Sequence, residues 1–138
     1  MPYDPDNIFA RIIRGEAPCV RVLEDEHTLA FMDLMPQSPG HTLVVPKAPA
    51  ADLLTLPPEA LGPLLATTQR VARAVKAALQ PGGILIAQLN GAAAGQTVFH
   101  LHFHVIPRDS GLDLDIHSRR MADPAALEAI AARIRAKL

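Results

Sequence analysis

The chain has 138 residues, a net charge of -1 from 13 basic and 14 acidic side chains, and 49% hydrophobic against 20% charged residues. That length and balance suit one ordered domain and exclude a disordered chain. With aromatics at 4%, no Trp and no long run of basic residues, a nucleic-acid protein held by bulk charge or base stacking is excluded, and no apolar stretch approaches the ~20 residues of a membrane span. Along the chain, apolar residues at Ile8, Phe9, Ile12 and Ile13 predict a short amphipathic helix over 8–14, ended by Gly15. Residues 20–24 and 28–33 read as two strands joined at the turn Asp25-Glu26-His27. Pro36, Pro39 and Gly40 mark a loop, and 42–45 is a third strand stopped by Pro46. Pro58 suits a first helical position, and the spacing from Leu61 to Leu79 predicts the longest helix, ended at Pro81-Gly82-Gly83. Residues 84–89 form a fourth strand, the loop 90–95 follows, and Val98–Ile106 is the last strand. A final helix is expected from Pro124 to about Ala136, capped by Asp123.

Strands and helices do not alternate strictly, so an α+β fold is expected: a mainly antiparallel five-stranded sheet with the long helix packed on it. Residues 1–138 are read as one domain, with a core over about 7–108 and a tail with its helix over 109–138. The single cysteine, Cys19, allows neither an internal disulfide nor a cysteine-rich zinc cluster. The acidic, proline-bearing start lacks the basic and then apolar opening of a secretory signal, so a cytoplasmic location is expected.

The chemistry concentrates in residues 95–108. On a strand, His100, His102 and His104 would line one face, while Phe99, Leu101, Phe103 and Val105 line the other and enter the core. Half of the six histidines fall within these five residues, which a single core histidine does not account for. Two readings compete. A metal site is disfavoured, because positions i and i+4 on a strand lie about 13 Å apart and the imidazoles would have to converge to bonds of about 2.0–2.1 Å; only distant His41 or His117 could complete such a site. Covalent catalysis suits the row better: one imidazole attacks while its neighbours orient it and carry protons. The preceding loop, with Asn90, Gly91, Gly95, Gln96 and Thr97, is either a plain connection or a set of neutral donors for an anionic phosphate.

These residues resemble the histidine triad (HIT) nucleotide hydrolases and transferases. His100 to Ile106 matches the family signature of three alternating histidines followed by apolar residues. Ile8-Phe9 through Arg14-Gly15-Glu16, Ala30 to Asp33, Pro36-Gln37, Gly40 to Lys47 and Gly95-Gln96-Thr97 look like family blocks in family order. The resemblance implies a HIT-like fold whose sheet continues across a homodimer. It implies attack by the middle histidine, His102, on the α-phosphorus of a nucleotide, giving a nucleotidyl-histidine that water hydrolyses. His100 would orient the site, its backbone carbonyl accepting from the nucleophile's other ring N–H. His104 would contact the phosphate, and His41 would support His100. Ile8, Phe9, Ile12, Phe31 and Leu34 match the apolar slot for the base, and Asp33 matches the carboxylate that holds the ribose hydroxyls. Asn90, Gln96 and Thr97 match the phosphate-side polar groups. His27 and His117 match nothing and are read as surface residues.

The expected substrates are purine nucleotides, as 5′-phosphoramidates or dinucleoside polyphosphates, with adenosine monophosphate as a product. No cofactor, nucleic acid or membrane is expected. Many bacterial relatives bind structural zinc through a Cys-x-x-Cys near the start and a later histidine. Here Asn7, Ala10 and Pro49 stand at those positions and Cys19 is out of place, so no metal is expected. The chain also lacks the C-terminal Trp of the phosphoramidase branch, and Pro107-Arg108 resembles the branch that cleaves dinucleoside polyphosphates. The alternative is a nucleotide-binding regulatory module with incidental turnover.

Overall fold

In the computed structural model, which describes residues 2–111 and 121–137, helix α1 (Ile8–Ile13) precedes the hairpin of β1 (Arg21–Glu24) and β2 (Thr28–Met32). Strand β3 (Thr42–Pro46), helix α2 (Leu61–Leu79), strand β4 (Gly83–Ala87), strand β5 (Phe103–Arg108) and helix α3 (Pro124–Arg135) follow. The strands form one antiparallel sheet in the order β1-β2-β3-β5-β4. The α+β architecture expected from the sequence is the one observed.

Local chemistry explains the elements. Asn7 caps α1 by accepting from the Ala10 N–H. Asp25 makes the β1–β2 turn by accepting from the N–H groups of His27 and Thr28, both at 2.8 Å. A single 3-10 turn, Pro58–Ala60, comes before α2, so Pro58 opens that turn and the helix proper starts at Leu61. Gln80, at φ +51°, ends the helix with its N–H on the Lys76 carbonyl. Asp123 caps α3 as expected. His27 is exposed, and His117 lies outside the described residues.

The sheet separates two apolar layers because its side chains alternate. Ala30, Val44, Phe103 and Val105 face α2 and pack with Leu64 and Val71. Leu29, Phe31, Leu43 and Val45 face the other way and pack with Phe9 and Ile12 of α1. Thr28 and Thr67 share a buried hydroxyl–hydroxyl bond of 2.8 Å that ties the hairpin to α2.

One strand is shorter than its sequence suggests. The apolar alternation predicts a strand from Val98, but β5 begins at Phe103. The β3–β5 register pairs Thr42 with Val105, Leu43 with His104 and Val44 with Phe103. Continued, that register would set Leu101 against Pro46, which has no N–H to give the ladder. The Leu101 N–H turns instead to the Ala50 carbonyl, at 2.8 Å. Of the three histidines only His104 stands on a regular strand, so the strand geometry expected for His100 and His102 does not hold. Similarly, β4 ends at Ala87 rather than continuing to Leu89.

Candidate functional site

A cavity of about 410 Å³ opens on the α1 side of the sheet, within the range of small-molecule pockets. Ile8, Phe9 and Ile12 of α1 line it together with Phe31 and Leu34, the five residues that the family resemblance assigns to an apolar slot. Pro18, Cys19, Met32, Met35, Leu43 and Val98 complete the apolar lining; sequence pattern alone marked none of these six, because they come from separate segments. The rings of Phe9 and Phe31 meet edge to face at 5.4 Å. The polar end of the cavity is made by Asp33, Thr97, His102 and His104.

His102 is nearly buried, its ring perpendicular to that of Phe9 at 4.9 Å. Its Nδ1 lies 2.8 Å from the backbone carbonyl oxygen of His100. A carbonyl only accepts, so Nδ1 carries the proton and Nε2 keeps its lone pair. Burial lowers the pKa of His102 below the ordinary imidazole value, although the bond to His100 and the charge of Asp33 oppose this. The neutral, nucleophilic form is therefore favoured.

His100 does not line the cavity. Its ring is fully buried, with Nε2 2.8 Å from the Pro46 carbonyl oxygen and Nδ1 2.6 Å from the Tyr3 hydroxyl. Tyr3 has no signal in the sequence, because the contact spans 97 residues.

His41 follows Gly40, whose φ of +100° suits glycine. A Cβ on Gly40 would run into the Leu79 side chain and crowd Pro107. The sequence comparison places His41 behind His100, but its Nε2 lies 2.9 Å from His104 Nδ1 and 3.4 Å from a carboxylate oxygen of Asp33. The register explains the difference: His104 stands on β5 opposite Leu43, beside His41, whereas His100 is four residues back on irregular chain. The backbone N–H of Gln37 donates to His41 Nδ1, so Nε2 is the protonated nitrogen of a neutral ring. His104 Nδ1 then accepts, which leaves its Nε2–H as the remaining donor. Burial, helped by its histidine neighbours, pushes the pKa of His104 down to about 4, and burial lowers that of His41. Asp33, His41 and His104 each offer one ligand atom, all within 4.8 Å of one another, and are the described residues best arranged to hold a cation. Their hydrogen bonds already hold them together.

Two expected phosphate-side residues are placed elsewhere. Gln96 is buried, accepts from the Gly91 N–H and donates to the Ala51 and Val98 carbonyls, so it braces its loop with both amide groups. Asn90 pairs its amide with Gln88 and accepts from the Leu53 N–H. Thr97 alone of the three lines the cavity. Asn7 caps α1, Ala10 is buried and Pro49 is exposed on the loop after β3.

Among the described residues no helix is long and apolar enough to cross a membrane. The HIT domain profile matches residues 14–111. An uncharacterized HIT-like protein of Mycobacterium tuberculosis is 47% identical over 109 residues, covering 79% of this chain and 76% of that one. The adenylylsulfatase HINT3 of Arabidopsis thaliana is 38% identical over 103 residues, covering 75% of this chain and 52% of that one. The crystal structure of a histidine triad nucleotide-binding protein from Candida albicans superposes with a TM-score of 0.84 at 28% identity, over 96% of each chain.

Proposed function

The chain belongs to the histidine triad family of nucleotide-binding and nucleotide-hydrolysing proteins, and from that premise we propose that it hydrolyses nucleotides at the α-phosphorus through a covalent adduct on His102. The observation that carries this reading is the bond from His102 Nδ1–H to the His100 carbonyl, which leaves Nε2 as a lone pair on a ring that lines the apolar slot. In the first step Nε2 bonds to phosphorus as the bond from phosphorus to the leaving group breaks, and the leaving group takes that electron pair. The ring, now substituted on Nε2 and protonated on Nδ1, is cationic, and the His100 carbonyl stabilises it. Water then attacks phosphorus, the P–N bond breaks with its electron pair returning to Nε2, the water gives up a proton to solvent, and a nucleoside monophosphate leaves with His102 restored.

The other residues take roles by position. Ile8, Phe9, Ile12, Phe31 and Leu34 hold a purine base by apolar contact. One oxygen of Asp33 accepts from the Met35 N–H at 2.8 Å and the other lies 3.4 Å from His41 Nε2; at the polar end of the cavity this carboxylate accepts from ribose hydroxyls. His104 Nε2–H donates to a phosphate oxygen, and His41 holds His104 in that tautomer. Thr97 adds a hydroxyl at the phosphate end. Among the described residues no lysine or arginine lines the cavity, so the phosphate meets neutral donors that leave it electrophilic.

An imidazole nucleophile favours leaving groups that depart readily or carry a proton. Adenosine 5′-phosphoramidates and dinucleoside polyphosphates meet one condition or the other; phosphate monoesters and simple phosphodiesters meet neither. The test offers the four classes at equal concentration and quenches early for intact mass. The expected result is release of adenosine monophosphate from the first two classes and a nucleotidyl mass increment on a peptide containing His102. His102→Ala is expected to abolish both while nucleotide binding stays within about tenfold. Turnover by His102→Ala at a comparable rate would overturn the mechanism.

The same reading includes a homodimer. Strand β4 is an edge of the sheet, Ile86 on it is 42% exposed, and Leu65 and Leu79 of α2 are half-exposed. An open edge beside apolar surface invites a second copy.

A further inference from the structure

Tyr3 precedes α1, and its ring meets that of His100 edge to face, with centroids 5.7 Å apart. Its hydroxyl oxygen is 2.6 Å from His100 Nδ1. On the other side of the same imidazole, Nε2 is 2.8 Å from the Pro46 carbonyl oxygen. That carbonyl only accepts, so Nε2 carries the proton. Burial keeps the ring neutral, so Nδ1 is a bare lone pair and the Tyr3 hydroxyl donates to it. The ring is thus fixed at both nitrogens, and its tautomer is set. The backbone carbonyl of this residue in turn accepts from His102 Nδ1–H at 2.8 Å.

We infer that Tyr3 is a positioning residue for the His102 imidazole: its hydroxyl fixes the ring of His100, and through that residue the carbonyl that aims His102. The inference rests on the nucleophilic role proposed for His102. Residues 98–102 belong to no strand, so the sheet ladder does not hold the His100 carbonyl. The restraints nearby are the Gln96 amide on the Val98 carbonyl, the Leu101 N–H on Ala50 and the two ring bonds of His100. Without the hydroxyl, Nδ1 would be a buried acceptor with no partner, and the ring would turn to find one. The carbonyl would turn with it. That carbonyl matters most when His102 bears phosphorus and is cationic, because a charged donor makes the stronger bond. Tyr3 does not line the cavity. Its loss therefore acts on the covalent steps rather than on nucleotide affinity.

The test is Tyr3→Phe, which keeps the ring edge against His100 and removes only the hydroxyl. Nitrogen-15 NMR of the histidine rings is expected to show His100 Nδ1 moving toward the position of an unbonded imidazole nitrogen. With adenosine 5′-phosphoramidate, kcat is expected to fall roughly tenfold while KM stays within about twofold. An unmoved His100 resonance would overturn the inference, as would a moved resonance with unchanged kcat. So would an equal loss in affinity, which would mean that the substitution had disturbed the slot. The NMR reading needs no substrate. A wild-type protein that forms no His102 adduct would thus reject the reaction separately from the Tyr3–His100 bond.

Discussion

Nε2 of His41 lies 2.9 Å from Nδ1 of His104 and is the donor of that pair. The direction follows from the Gln37 N–H, which occupies the other nitrogen of His41. A histidine from β3's leading edge therefore decides which nitrogen of a β5 histidine presents a proton to the cavity. His41→Ala is expected to release that choice. With His104 free to take either tautomer, kcat should fall about tenfold and the His104 ring resonances should show mixed tautomers. An unchanged His104 spectrum would show that the pair does not set the proton.

The acid limb of the rate profile should lie below the ordinary histidine value. His102 must be neutral to attack, and burial lowers its pKa from 6.5. The neutral form then persists as pH falls through 6.5, so kcat/KM should decline only at lower pH. A limb at or above 6.5 in initial-rate measurements would contradict the burial argument.

Stability should follow the same groups. His41, His100, His102 and His104 all have folded pKa values below 6.5, that of His104 about 4. Between those values and 6.5 the unfolded chain binds more protons than the folded one, so stability rises with pH there. The contribution is complete above 6.5 and is lost as pH falls toward 4. Thermal melts should show a stable plateau near neutral pH and a falling Tm on acidification through that window. A Tm that rises on acidification would refute the assignment.

Gln96 tests the distinction between a phosphate contact and a brace. Gln96→Leu leaves the Gly91 N–H and the Ala51 and Val98 carbonyls without their partner. Such a loss costs about 1–3 kcal/mol, readable as a lower urea midpoint. If stability holds and only nucleotide affinity falls, Gln96 is a ligand group after all.

Elemental analysis is expected to find no stoichiometric zinc in the purified protein. Asn7, Ala10 and Pro49 are occupied as a helix cap, a buried apolar residue and an exposed loop residue, and none of them supplies the usual zinc ligands. About one tightly held zinc per chain would contradict this and direct attention to Asp33, His41 and His104.

Light scattering at micromolar concentration is expected to return the mass of two chains. A charged residue at Ile86 on the β4 edge should shift the equilibrium toward the monomer, since it faces the proposed seam. A wild-type monomer mass would remove the dimer.

The periodic parts of this fold were legible in the sequence. The apolar runs of β2 and β3, buried on both faces of the sheet, and the three-to-four spacing of α2 follow directly from which residues the core takes. The apolar slot was legible only by comparison with a family, because Phe9 and Phe31 look the same in a slot as in a core. Three features were hidden. His41 chooses His104 over His100 by sheet register, Gln96 turns inward to brace a loop, and Tyr3 reaches His100 from the far end of the chain. Each is a hydrogen bond between residues whose proximity no local pattern encodes.

Where the ladder stops at Phe103, the main chain of the two preceding histidines is released from pairing duty. In an unbroken strand the His100 carbonyl would point sideways at a neighbour. Here the zipper halts at Phe103, one residue short of His102 and before the register reaches Pro46, which has no amide hydrogen to offer, and the His100 oxygen accepts from the ring of His102 instead. The end of the ladder thus leaves free the oxygen that decides which imidazole nitrogen stays bare. Restoring an amide hydrogen at position 46 would offer a ladder bond to the Leu101 carbonyl, its partner in that register, and draw the chain on either side of Leu101 back toward the sheet.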